Sequence, residues 1–223
     1  MPASRLPDLP ATGFAGRSLA CRRGEQPVFE RLDFDLPPGG ALILRGPNGS
    51  GKSSLLRLMA GLTPPAAGTL AWDGVPVADD PGAHRARLHF IGHADALKLA
   101  LTVSETLTFW AGMRGGGDIA TALARFRLRP LADLPCRFLS AGQRRRLALA
   151  RPVASPAPLW LLDEPLTGLD EDSVADLHAA ITAHRAGGGS VALSTHAPLA
   201  LDAAATLALG DYAPSFALAA LDP

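Results

Sequence analysis

Apolar and polar positions along the chain alternate between two periods. The segments SLACRR, VFERLDFDL and GTLAWDGVPV read as short strands, with a turn at Asp73-Gly74, and together predict a small antiparallel sheet near the N-terminus. The stretch LILRGPNGSGKSSLLRLMAGL runs from a buried strand through a glycine loop into a helix ending near Ala60. Two further unbroken apolar runs, Leu159 to Leu162 and SVALS, are buried strands of the kind found in parallel sheets. Between Leu101 and Ala150 the pattern turns helical. Thr102 and Glu105 form a capping box, glycines 115 to 117 break the helix that follows, Asp118 caps another and Ser140 starts a third. Pro152 predicts that this last helix stops near Ala150. A weak strand follows near Leu207. The expectation is an α/β fold with a mostly parallel sheet, a small antiparallel β subdomain before it and an inserted helical subdomain over about 94–152, all within one domain spanning 1–223.

The glycine loop carries the strongest chemistry. Gly46, Pro47, Asn48, Gly49, Ser50, Gly51, Lys52 and Ser53 fit G-x-x-x-x-G-K-S behind a strand, a P-loop whose amides form an anion nest at a helix N-terminus. Lys52 supplies a point charge to the β- and γ-phosphates of ATP or GTP, Ser53 offers a hydroxyl to Mg2+, and Ser54 completes the loop's contacts. Lysine occurs only at 52 and 98, so the loop keeps an ammonium where the chain otherwise uses arginine. Asp163 and Glu164 follow the Leu159 to Leu162 strand at its carboxyl end, where such sheets bind ligands. Asp163 is placed to hold metal, and Glu164 to deprotonate the attacking water. His196 ends the SVALSTH strand at the same edge and is placed to sense the γ-phosphate. A second anion site is expected where Ser140, Ala141, Gly142 and Gln143 open a helix.

The P-loop, LSAGQ, LLDEP, TGLD and the terminal histidine, in that order, resemble the ATP-binding cassette of ABC ATPases over Leu19 to about Leu209. The resemblance implies the P-loop NTPase core of an ABC nucleotide-binding domain and a head-to-tail homodimer. The 140–143 signature of one subunit would then cap ATP on the P-loop of the other. Two positions depart from the family. His93 stands where a glutamine contacts magnesium and water, and Arg23 stands where an aromatic residue stacks on adenine. The stretches FIGHADALKLALTVSETLTFW, LSAGQRRRLALAR and PAPLWLLDEPLTGLD are similar to those of the haem exporter ATP-binding subunits of cytochrome c maturation systems. That likeness implies ATP hydrolysis on the cytoplasmic face of the inner membrane, integral membrane permease partners, and a role in haem supply for c-type cytochromes. The groove around His93 to Leu101 would carry the coupling contact. The ATPase subunit of another small ABC transporter, or a soluble ABC ATPase of cofactor assembly, shares every catalytic motif.

Composition narrows the remaining options. With 223 residues, 48% hydrophobic and 19% charged, the chain can bury a full core and is too short for two cassettes. Zero net charge and a pI near 7.0 leave no footprint for nucleic acid or an anionic membrane surface. The arginines 144 to 146 read as a solvated helix face. No run is long and apolar enough for a membrane span, and MPASRLPDLPATG has no signal-peptide core, which points to a cytosolic protein. Cys21 and Cys136 form no C-x-x-C. His84, His89 and Cys21 are read as playing no part in haem binding, the histidines as surface residues.

Overall fold

A computed structural model describes residues 13–214, so the N-terminal stretch read for a targeting signal lies almost wholly outside the described residues. In chain order the elements are β1 (Phe14–Arg23), β2 (Gln26–Leu36), β3 (Ala41–Arg45), α1 (Lys52–Met59), β4 (Ala67–Trp72), β5 (Val75–Pro76), α2 (Pro81–Ala86) and β6 (Leu88–Ile91). They continue with α3 (Val103–Gly112), α4 (Ile119–Arg125), α5 (Ala141–Ala154), β7 (Leu159–Asp163), α6 (Glu171–Ala186), β8 (Ser190–Ser194) and β9 (Ala205–Ala208).

The first four antiparallel strands form one sheet in the order β2-β1-β4-β5. The Asp73-Gly74 turn joins β4 to β5 with both residues at positive φ, 49° and 82°, the twist that matches a tight hairpin. The second sheet is parallel throughout, in the order β6-β7-β8-β3-β9. Every residue of β7 and β8 is buried, as expected of strands covered on both faces.

Alternation along β7 assigns its two faces to different cores. Leu159 and Leu161 pack with Leu55, Leu56, Leu58 and Met59 of α1 and with the antiparallel sheet. Trp160 and Leu162 pack with Leu107, Phe126, Leu147 and Ile181, so the helical segment shares its core with one face of the parallel sheet. Its helices start where the caps predict. Thr102 and Ser140 both make reciprocal capping boxes, and the Asp118 carboxylate accepts from the Thr121 amide.

Pro152 does not end α5, which runs two residues further to Ala154. A proline in the last turn removes one amide donor and leaves the rest of the ladder intact, and the Ser155 amide still donates to the Arg151 carbonyl at 3.0 Å. The turn is fixed by burial of Arg151, Pro152 and Ala154, and by Gly117, where an added Cβ would lie 1.6 Å from the Ala154 carbonyl oxygen.

Two readings of surface position are corrected by burial. Arg145 is buried within α5, while Arg144 and Arg146 remain partly exposed. His84 and His89 are core residues, each about 2% exposed. His84 accepts at Nδ1 from the Trp72 indole at 2.9 Å, which leaves its Nε2–H to donate to the Met59 carbonyl at 2.9 Å. His89 bonds the Ser155 carbonyl, and burial pushes its imidazole down to about 4, so it is neutral in the fold.

Candidate functional site

The phosphate loop leaves β3 and enters α1 through three glycines in the left-handed half of φ space: Gly46 at 148°, Gly49 at 86° and Gly51 at 103°. Side chains are excluded at two of them. A Cβ on Gly46 would meet Ser50 Oγ at 2.6 Å, and one on Gly51 would meet Val28 at 2.6 Å. Lys52, 7% exposed, folds back into this loop. Its ammonium donates to the Gly46 carbonyl at 2.8 Å, the Pro47 carbonyl at 3.1 Å and His196 Nε2 at 3.0 Å. A lysine can only donate, so Nε2 is the acceptor and the His196 proton sits on Nδ1. His196 Nε2 also lies 3.4 Å from Glu164 Oε1. With Nε2 already accepting from Lys52, that approach is no ion pair, and Glu164 Oε1 remains a buried oxygen with no hydrogen-bond partner.

The two carboxylates are positioned from β7 and its neighbour. Ser53 Oγ donates to Asp163 Oδ1 at 3.0 Å, joining the start of α1 to the end of β7. Ser194, fully buried at the end of β8, donates its hydroxyl to the same Asp163 oxygen at 2.7 Å and accepts from the Glu164 amide at 2.8 Å. Glu164 itself has a left-handed backbone, φ 47°. On the far side of the loop, Arg45 donates to the carbonyls of Thr195 at 2.9 Å and Ala197 at 3.2 Å, bracketing His196. Arg145 reaches in from α5 to the carbonyls of Asp163 and Glu164, both at 2.9 Å.

Lys52, Ser53, Glu164, His196 and Arg23 line one cleft of about 130 Å³, and a second cavity of about 240 Å³ continues from it past Arg23, Ser53, Ser54 and Arg57. Arg23 is held there by Nε and Nη2 donation to Ser54 Oγ at 3.2 and 2.9 Å. The cleft therefore offers a cation, an open glycine loop and the Ser53 hydroxyl, with the Asp163 carboxylate bonded directly behind it. It also holds one buried polar atom without a partner, Glu164 Oε1, and the loop beside it holds another, Ser50 Oγ. Such unpaired atoms cost free energy until a ligand satisfies them. A phosphate chain with a divalent cation and water fits this donor and acceptor set.

Not every expected residue converges. His93 is exposed on the loop after β6 and lines neither cavity, although its neighbours Gly92 and Asp95 are gripped by Arg145. Ser140, Ala141, Gly142 and Gln143 open α5 and also lie outside both cavities. Ser194, Arg45 and Arg145 are the additions that the linear sequence did not disclose. LSTH, QRRR and ILRG contain them, but nothing local says that their partners lie far away along the chain.

Comparison with known proteins agrees with this geometry. The sequence pattern of the ABC transporter family matches residues 29–167. The cytochrome c biogenesis ATP-binding export protein CcmA of Rhodospirillum rubrum is 54% identical over 94% of this chain and 90% of its own length. The protein of the same name from Paramagnetospirillum magneticum is 52% identical over 90% of this chain and 95% of its own. Among solved structures, an ABC transporter ATP-binding protein from Pyrococcus furiosus superposes with a TM-score of 0.80 at 25% identity, covering 90% of this chain and 99% of that one. The chain belongs to the ABC transporter ATP-binding family and, within it, to the CcmA proteins of cytochrome c biogenesis.

Proposed function

We propose that the chain is the ATP-hydrolysing subunit of a membrane ABC transporter complex that serves haem export, or release of a haem carrier, in c-type cytochrome biogenesis. The names of its relatives support the pathway, and the convergence of Lys52, Ser53, Glu164 and His196 on one cleft, with Asp163 bonded to Ser53 behind it, supports the chemistry. Lys52 exchanges its loop carbonyls and His196 for β- and γ-phosphate oxygens. Released from Lys52, His196 is free to carry its proton on Nε2 and donate to the γ-phosphate. Ser53 Oγ and Asp163 Oδ1 would hold a magnesium ion, which would supply neutralisation of phosphate charge there. Water attacks the γ-phosphorus while its proton passes to the unpaired Glu164 Oε1, giving ADP and phosphate. Arg23, set between the two cavities, takes the base by stacking its guanidinium where relatives of the broader family use an aromatic ring.

Ser140 to Gln143 serve the nucleotide of a second copy in a head-to-tail homodimer, which is the use left to a helix start that faces neither cavity of its own chain. ABC cassettes work with membrane permeases, and no helix among the described residues is long and apolar enough to cross a membrane. The exposed side chains of Leu99, Phe109, Met113 and Phe138, on and beside the helical segment, supply the apolar face for the integral membrane subunits. In this reading the cassette works at the cytoplasmic face of the inner membrane. Haem, in the same reading, stays with those partners, and His84, His89 and Cys21, buried in the cassette core, take no part.

The test is c-type cytochrome content by haem staining in a strain lacking the gene, complemented with wild type or Glu164→Gln. Rescue by wild type alone supports the assignment. Unchanged cytochromes in the deletion strain, with no second gene copy, remove it.

A further inference from the structure

The side chain of Arg145 does not touch the cleft, yet it binds both pieces of backbone that shape the catalytic edge. It is 6% exposed, and its two terminal nitrogens divide four acceptors between them. Nη2 donates to the carbonyls of Asp163 and Glu164 at 2.9 Å each. Nη1 donates to the Gly92 carbonyl at 2.9 Å and to Asp95 Oδ1 at 3.3 Å, on the loop that carries His93. Asp95 is also its counter-charge, and the same loop is held a second time by Arg151, whose Nη1 reaches the Asp95 carbonyl at 3.5 Å. Burying a guanidinium is expensive unless its donors are used, and here the two terminal nitrogens match acceptors from two separate segments while Nε has no partner.

The backbone at Glu164 needs such a hold. A non-glycine residue at φ 47° sits in a sparsely populated conformation and persists only where its surroundings impose it. The Glu164 amide is fixed by Ser194 Oγ and its carbonyl by Arg145 at 2.9 Å and the Thr167 amide at 3.2 Å, so the backbone on both sides of the residue that carries the carboxylate is tied. We infer that Arg145 is a positioning residue for hydrolysis: it locks the left-handed turn at Glu164 and seats the 92–95 loop against it, so that the Glu164 carboxylate faces the cleft. Ser140 caps the same helix, which ties the placement of Glu164 to that of the signature. The inference rests on Glu164 being the general base.

The experiment uses the full chain co-purified with the membrane subunits it binds, comparing wild type, Arg145→Met, Glu164→Gln and the double variant. Expected for Arg145→Met is a kcat lower by about 10- to 100-fold, the scale of misplacing a catalytic group by about an ångström. ATP affinity should stay within about threefold, because phosphate and base contacts are untouched. In the Glu164→Gln background Arg145→Met should cause no further loss, since a residue acting only through the base has nothing left to position. If the Met variant does not accumulate, Arg145→Lys carries the same test, because a single ammonium cannot span the four acceptors. Wild-type kcat in Arg145→Met, or equal losses with and without Glu164, overturns the inference. Equal rates in wild type and Glu164→Gln overturn the general-base assignment itself, a different result from Arg145→Met alone matching wild type.

Discussion

Replacing Ser194 with alanine should damage stability and hydrolysis together, and the structure sets the scale. The hydroxyl is fully buried and makes two hydrogen bonds, donating to Asp163 Oδ1 at 2.7 Å and accepting from the Glu164 amide at 2.8 Å. Hydrogen bonds to charged groups contribute about 1.5–3 kcal/mol, and an orphaned buried donor costs about 1–3 kcal/mol. The Glu164 amide would become such an orphan, while Asp163 would keep Ser53 as its remaining donor. Allowing for their shared geometry, the combined loss is about 3 kcal/mol, which for a domain of this size lowers the melting temperature by roughly 10 °C. The Glu164 turn would also lose the tether on its amide, keeping only Arg145 and the Thr167 amide on its carbonyl, so kcat should fall by about tenfold or more with little change in nucleotide affinity. Thermal melting without nucleotide and steady-state ATPase of the folded fraction check both parts. A melting temperature within about 2 °C of wild type would show that water or a backbone shift replaces the hydroxyl, and the reasoning would fail.

Acid should weaken the fold through His89. Its folded-state value of about 4 lies below the ordinary 6.5, chiefly through burial, so the unfolded chain binds more protons between those limits. That contribution is intact above pH 6.5 and is lost as pH falls towards 4; from pH 6.5 to 5 it amounts to about 2 kcal/mol, readable as a fall in the urea midpoint. Burial also lowers His84 and His184, in the same direction. An unchanged midpoint between pH 7 and 5 would contradict this. Gly117→Ala should destabilise by about 1–3 kcal/mol, since its Cβ would lie 1.6 Å from the Ala154 carbonyl and the end of α5 would have to move. Unaltered unfolding of that variant would show that the contact yields freely.

The parts of the site that lie within one contiguous stretch were legible in the sequence. The glycine loop, Lys52 and Ser53 share one strand-loop-helix unit, and Asp163 and Glu164 end a strand whose four apolar residues already declare burial at a parallel sheet edge. The residues that fix those groups were not legible, because their partners lie far along the chain. Ser194 bonds Asp163 across a strand pair, and Arg145 spans from a helix to two loops. Arg145 reads as solvent-facing because QRRR is locally polar, and only tertiary contacts reveal its acceptors. The error at Pro152 has a similar origin. Local chemistry predicts a stop, but burial of the last turn of α5 outweighs the loss of one bond. His93 is the reverse case, a residue with a role implied by the family whose side chain lies outside the cleft.

The order β6-β7-β8-β3-β9 has a consequence for how the protein is made. The strand that launches the phosphate loop, β3, pairs only with β8 and β9, which are the last two strands of the described chain. During synthesis β3, the loop and α1 leave the ribosome early and have no sheet neighbour until residues beyond Ser190 have followed. Non-local pairing of this kind is slow, and the unpaired apolar strand is exposed while it waits. The nucleotide pocket is therefore among the last features to close on a nascent chain, and a chain truncated before β8 would carry the complete phosphate-loop sequence without a sheet to hold it.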